Sequence, residues 1–157
     1  MNPPGADERP LPFAAMRVVV HGVTPIARAV LSLAAAVGYE AVAYDSEQLE
    51  GAAGVVTATH GAPDEEAVLR AALAAGVPYI ALVAGRGRGQ EVVARLGDEG
   101  AARICTPAGL DIGARTPEEV ALAILAQMVD ARPRVPGQSR AARGKAVYDH
   151  GSGSGGE

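Results

Sequence analysis

The chain has 157 residues, 48% of them apolar but only 3% aromatic, with no tryptophan and a formal net charge of −4. That length suits one domain with a core large enough to fold alone. No apolar run approaches the roughly 20 residues of a bilayer span and no signal-peptide anatomy is visible, so a soluble, cytoplasmic protein is expected. A mildly acidic chain with few rings to stack on is a poor nucleic-acid binder. A single cysteine, Cys105, excludes an internal disulfide and an all-cysteine metal site.

Residues 1–15, with Pro3-Pro4-Gly5 and Asp7-Glu8-Arg9-Pro10, show no periodicity and read as a flexible tail. Arg17-Val18-Val19-Val20 is a β-branched strand ending at His21-Gly22. Pro25–Val37 is predicted as a helix with Ile26, Ala29, Val30, Leu33, Ala34 and Val37 on its inward face. Ala41–Tyr44 is a second strand closed by Asp45, and Gly54–Thr59 a third ending at His60-Gly61. Pro63–Ala75 is a helix with the stripe Ala67, Val68, Ala71, Ala72 and Ala75. Val77–Val83 is a fourth strand, Gln90–Leu96 a helix, and Arg103–Thr106 a short fifth strand. Thr116–Asp130 is a final helix with Val120, Ala121, Ile124, Leu125 and Met128 inward. From Arg132 onward Pro133, Pro136 and Gly137 break any helix. A small basic stretch (Arg140, Arg143, Lys145) then leads into a Gly/Ser end, so 132–157 reads as a second tail.

Strands apolar on both faces, alternating with helices, imply a parallel sheet covered on both sides. The fold class is therefore α/β, a Rossmann-like doubly wound, mostly parallel sheet of about five strands over residues 16–131. Thr24-Pro25, Ala62-Pro63 and Thr116-Pro117 each place proline where a helix begins, at a position whose missing N–H is no loss. Thr116 and Glu119 also form a capping box.

Ligands of such sheets bind outside the carboxyl ends of the strands, and the Gly, His and charged residues gather there. The turn Gly22-Val23-Thr24-Pro25-Ile26-Ala27, with Asp45 ending the second strand, occupies the place of a dinucleotide fingerprint. Only Gly22 and the final small residue Ala27 match it, and Thr24 stands where the middle glycine belongs. His60 leaves the third strand, where an imidazole can serve as proton donor, acceptor or ligand. Gly85-Arg86-Gly87-Arg88-Gly89 offers close backbone approach and two guanidinium groups for phosphate or carboxylate, or else a solvated loop. Pro107-Ala108-Gly109-Leu110-Asp111-Ile112-Gly113 places an aspartate between two glycines ahead of the last helix. Cys105 reads as a small core residue, with a reactive thiol the alternative. No HExxH pattern, nucleophile elbow, P-loop or metal-ligand spacing occurs, so no catalytic or metal-ligating residue is assigned.

The run from Pro107 to Glu119, continuing through Val120-Ala121-Leu122-Ala123-Ile124-Leu125-Ala126, closely resembles the C-terminal Rossmann domain of the XdhC/CoxI family. Thr59-His60-Gly61 with Asp64-Glu65-Glu66, and Val77-Pro78-Tyr79-Ile80-Ala81-Leu82-Val83, resemble two further family segments in the right order. The resemblance implies a maturation role: binding molybdenum cofactor (molybdopterin), supporting its sulfuration, and delivering it to xanthine dehydrogenase or a carbon monoxide dehydrogenase-type enzyme. By that likeness Gly22, Thr24 and Ala27 correspond to the family's glycine-rich turn, Arg86 and Arg88 to its basic segment, and Asp111 to its signature aspartate. Thr24-Pro25 departs from the family turn and weakens any claim to NAD(P). Gly85 and Gly87 replace a serine and an arginine of the basic segment, and the family's N-terminal domain is not represented.

The expectation is an accessory protein for a molybdenum hydroxylase, acting more as a cofactor-binding chaperone than as an enzyme. Its cofactor-binding set is Gly22, Thr24, Ala27, Asp45, His60, Arg86, Arg88, Gly109 and Asp111. Its partners are the client hydroxylase and a separate protein carrying the N-terminal type of domain, with no nucleic acid or membrane; a homodimer is compatible with the sequence. The alternatives are an NAD(P)-dependent oxidoreductase, with Asp45 reading the ribose and His60 as acid/base, and a nucleotide-free interaction module.

Overall fold

A computed structural model describes residues 16–133. The tail expected over 1–15, and that over 132–157 beyond Pro133, lie outside the described residues. The strands are β1 (Arg17–His21), β2 (Glu40–Ala43), β3 (Gly54–Thr57), β4 (Tyr79–Leu82) and β5 (Ile104–Cys105). They pair in parallel throughout, in the order β2-β1-β3-β4-β5. The helices are α1 (Pro25–Ala36), α2 (Glu65–Ala74), α3 (Arg86–Arg95), α4 (Gly97–Arg103) and α5 (Pro117–Ala131). This is the doubly wound α/β fold expected.

The period of two along each strand divides the core. Val18, Val20, Val56 and Ala81 face α1 and α5, where they meet Val30, Ala34, Ile124 and Met128. Val19, Val55, Ile80 and Leu82 face the other way onto Val68, Leu69, Val92 and Leu96. Both faces are dry, which is why the strands read as unbroken apolar runs. Beyond β2 the chain returns to the opposite side of β1 to lay down β3. The carboxyl ends of β1 and β3 therefore flank the switch point, where open α/β sheets take their ligands.

Five local expectations change. The stripe of α2 is turned by one residue, with Leu69 and Leu73 buried and Ala67 and Ala75 exposed; the bulkier leucines remove more apolar surface from water than the alanines. That helix begins at Glu65, so Pro63 sits in the preceding turn and not at the first helical position. Val37 lies beyond the end of α1 and is exposed. The segment Gly85–Gly89 is no loop but the cap and first turn of α3, whose interior extends from the expected Gln90 back to Arg86. The fifth strand has only two residues, because α4 occupies the residues before it. Pro25 and Pro117 do open α1 and α5, each behind a threonine cap.

Candidate functional site

The first turn shows how tightly the switch point is drawn together. Gly22 has φ +121°, and a Cβ there would lie 2.2 Å from the Ala58 carbonyl oxygen. Only glycine lets the turn after β1 approach the end of β3 so closely. Thr24 completes the joint: its hydroxyl donates to the Ala58 carbonyl at 2.7 Å and accepts from the Ala27 N–H at 3.2 Å. Pro25 has no N–H, so of the first three residues of α1 only Ile26 keeps a free amide. In a dinucleotide fingerprint this is the turn that receives the pyrophosphate; here its donors are largely spent inside the protein.

Across the switch point the acidic run Asp64-Glu65-Glu66 divides its charges among three partners. Asp64 holds His21 Nε2 at 3.1 Å. Glu65, buried at the start of α2, accepts from the Thr59 hydroxyl and from Arg88 Nη1. Glu66 accepts from Arg95. Arg88 also reaches the carbonyls of Thr59 at 3.4 Å and Val83 at 3.3 Å. It thereby ties the first turn of α3 to the ends of β3 and β4. Thr24, Thr59, His60, Gly85 and Arg88 line a cavity of about 330 Å³ at this junction.

The start of α3 is different in kind. Gly85 supplies no capping side chain, and the amides of Arg86, Gly87 and Arg88 have no acceptor among the described residues. Uncapped first-turn amides at the positive end of a helix dipole form a site for an anion. Arg86 is exposed, has no ion-pair partner among the described residues, and lines a second hollow of about 410 Å³ with Pro107–Ala114, Val120 and Ala123. That hollow is the concave side of the loop Gly109–Gly113. Gly109 has φ +99°, and a Cβ there would press on Ala123 at 3.0 Å. Its N–H donates to Gln127 Oε1 at 2.9 Å, and the Leu110 N–H to the Ala123 carbonyl at 3.1 Å, so the loop is sewn to α5. Gln127 Oε1 also accepts from the Tyr79 hydroxyl at 2.7 Å. Thr116 caps α5 by accepting from the Glu119 N–H at 3.1 Å, while the Glu119 carboxylate returns to the Arg115 N–H at 3.0 Å.

The nine residues singled out in the sequence fall into separate groups. Thr24, His60 and Arg88 share the switch-point cavity, and Arg86, Gly109 and Asp111 share the second hollow. Gly22 and Ala27 are packing positions of the first turn, Ala27 being fully buried. Asp45 lines neither hollow: its carboxylate accepts from the Glu47 N–H at 3.2 Å and caps a short 3-10 turn, Ser46–Gln48. His60 and Asp111 are exposed, with no bonded partner among the described residues. His21 and Glu65 were not singled out, although both carry the junction. An apolar-period reading has no means of choosing a glutamate as the buried residue of a helix's first turn.

Among the described residues no three His, Cys, Asp or Glu side chains converge as metal ligands. Burial pushes the Cys105 thiol up, away from the thiolate form a nucleophile needs. Burial, reinforced by Cys105, pushes the Tyr79 phenol well above its ordinary range. No helix among the described residues is long and apolar enough to cross a membrane.

Comparison with known proteins agrees with the fold. Among solved structures, one described as a xanthine dehydrogenase from Bacillus halodurans superposes with a TM-score of 0.60 at 21% identity. The match covers 74% of this chain and 42% of that one, so this chain spans less than half of that protein's length. At that identity the likeness concerns the fold. No curated protein matches the sequence. The family model of the XdhC Rossmann domain matches residues 18–128, and the chain belongs to that family.

Proposed function

We propose that this protein is an accessory factor of a xanthine dehydrogenase-type molybdenum hydroxylase, and that it holds the phosphate end of molybdenum cofactor where α3 begins. The observation that carries the reading is the uncapped start of α3: three amides without acceptors, beside an Arg86 guanidinium without an ion-pair partner, among the described residues. A phosphate monoester fits that donor set, since amides at a helix start and an arginine together satisfy its oxygens. Nothing lies within 4 Å of where a Cβ would stand on Gly85 or Gly87, so the approach is open. The pterin rings would rest on few aromatic neighbours; His60 and Asp111, exposed in the two hollows, are assigned to its polar edges. Arg88 is assigned to holding the cavity wall, because Glu65 already balances its charge. The cofactor, when bound, brings the molybdenum centre that the client uses; this chain binds, orients and shields it.

The client class is supported by the family and by the name carried by the Bacillus halodurans protein. The second partner we propose is a protein carrying the family's N-terminal type of domain. A cytoplasmic location goes with that role. The competing dinucleotide reading is disfavoured by Thr24-Pro25, whose donors are spent internally, and by Asp45, whose carboxylate caps its own turn. The test is to incubate the full chain with molybdenum cofactor released from a donor enzyme and to measure pterin fluorescence co-eluting on gel filtration. Retention is expected for the wild type and not for Arg86→Glu. No retention, with or without the client, would overturn the proposal.

A further inference from the structure

We propose that the outer face formed by α1 and α5 pairs with the same face of a second copy of this chain, about a two-fold axis running along the groove between the helices. That groove, about 760 Å³ and largely apolar, is lined on α1 mainly by the small side chains of Ala29, Ser32 and Ala36, with Leu33 beside them, and is flanked by Leu122 of α5. Leu122 is 51% exposed, although its neighbours Ala121 and Ala123 are buried. A leucine left standing beside a furrow of small side chains is a knob without a hole on its own subunit. The charges decide what fills the hole. Arg28 lies on the α1 wall and Glu118 on the α5 wall, and neither has a partner among the described residues.

Both helices follow strands of a parallel sheet, so both start from its carboxyl edge and run the same way. Arg28 and Glu118 therefore sit near the same end of the groove. A two-fold axis along the groove lays each α1 over the partner's α5, which brings Arg28 of each copy onto Glu118 of the other. It also drops each Leu122 toward the partner's small-residue floor. An isologous interface of this kind needs one surface that carries both halves of its own complement, and this face does. Helices of 12 and 15 residues offer a face only about 20 Å long. That is small against standard interfaces, so self-association in the micromolar range is expected.

Sedimentation equilibrium of the full chain from about 1 µM to about 200 µM tests this. The wild type is expected to dimerise reversibly, and Arg28→Glu and Glu118→Arg are each expected to weaken the dimer roughly tenfold, since a two-fold axis turns one reversal into two repulsive contacts. The double variant restores the wild-type constant. Leu122→Ser is expected to weaken the dimer through the apolar contact alone, independently of the charges. All three positions lie on the surface, and unaltered circular dichroism confirms each fold. A monomer throughout the range, a dimer indifferent to both charge reversals, or a double variant no tighter than the singles would overturn the proposal.

Discussion

The Glu65–Arg88 pair makes an asymmetric prediction, because its two members are buried to different degrees. The Glu65 side chain is 4% exposed and the Arg88 side chain 35%. Removing the arginine, as in Arg88→Met, leaves a carboxylate sealed in the protein with only the Thr59 hydroxyl to hold it. Stranding a buried charge in this way costs about 3–5 kcal/mol. The carbonyls of Thr59 and Val83 also lose a donor, although at 3.4 and 3.3 Å those contacts are long. Removing the glutamate instead, as in Glu65→Leu, leaves a guanidinium that keeps both carbonyls and turns the rest of its surface to water. The cost is then the lost charge-assisted bond, about 1–2 kcal/mol. The double variant replaces the pair with apolar side chains and is expected to recover most of the Arg88→Met loss. Urea unfolding followed by circular dichroism reads all four proteins, with a common m-value as the check that one transition is being compared. Against a total stability of about 5–15 kcal/mol the Arg88→Met midpoint should fall conspicuously. Equal losses for the two single variants, or additive losses in the double, would refute the assignment of the pair as a buried charge held by a half-exposed partner.

Other outcomes follow from the same geometry. Gly22→Ala should cost about 2 kcal/mol or more, from a left-handed φ and a Cβ set against the Ala58 carbonyl, and shows as a lowered thermal midpoint. Thr116→Ala removes the cap of α5 and should cost about 1 kcal/mol in the same assay. Tyr79 and Cys105 both have folded-state values raised by burial, so the stability they contribute is present at neutral pH. It is lost as pH rises above their unfolded values, about 8.5 for the thiol and about 10 for the phenol. Tyr79→Phe should therefore lose about 1 kcal/mol at pH 7, through the bonds to Gln127 and Ile124. Chemical denaturation across pH 7–11 should show that deficit shrinking above pH 10; a constant deficit would count against the burial argument. Arg86→Glu should leave stability unchanged or slightly raised, because the side chain is exposed, has no ion-pair partner among the described residues and sits at the positive end of the α3 dipole, while removing any phosphate-dependent thermal shift.

What the sequence made legible follows the range of the forces involved. Strand order and four of the five helices, the two opened by proline among them, were readable from patterns a few residues long, such as Thr24 with Ala27 and Thr116 with Glu119, whereas α4, rich in glycine and charge, was missed. The site was readable only as far as the carboxyl edge, since the residues that complete it meet across long separations. Thr24 meets Ala58 over 34 residues, and Arg88 meets Glu65 over 23. Those two contacts invert the local reading. Thr24 in isolation is a hydroxyl facing a phosphate site, and Ala58 turns it inward. Arg88 in isolation is a free cation in a glycine-rich loop, and Glu65 neutralises it, while the loop itself becomes the first turn of α3. The amides of Arg86, Gly87 and Arg88, by contrast, have no acceptor among the described residues. On the proposed reading an anion is better served at the start of the third helix than at the first, even though the first carries the residues that resemble a nucleotide fingerprint. The place of the fingerprint is here a structural joint, and the proposed anion site lies two strands along the edge of the sheet.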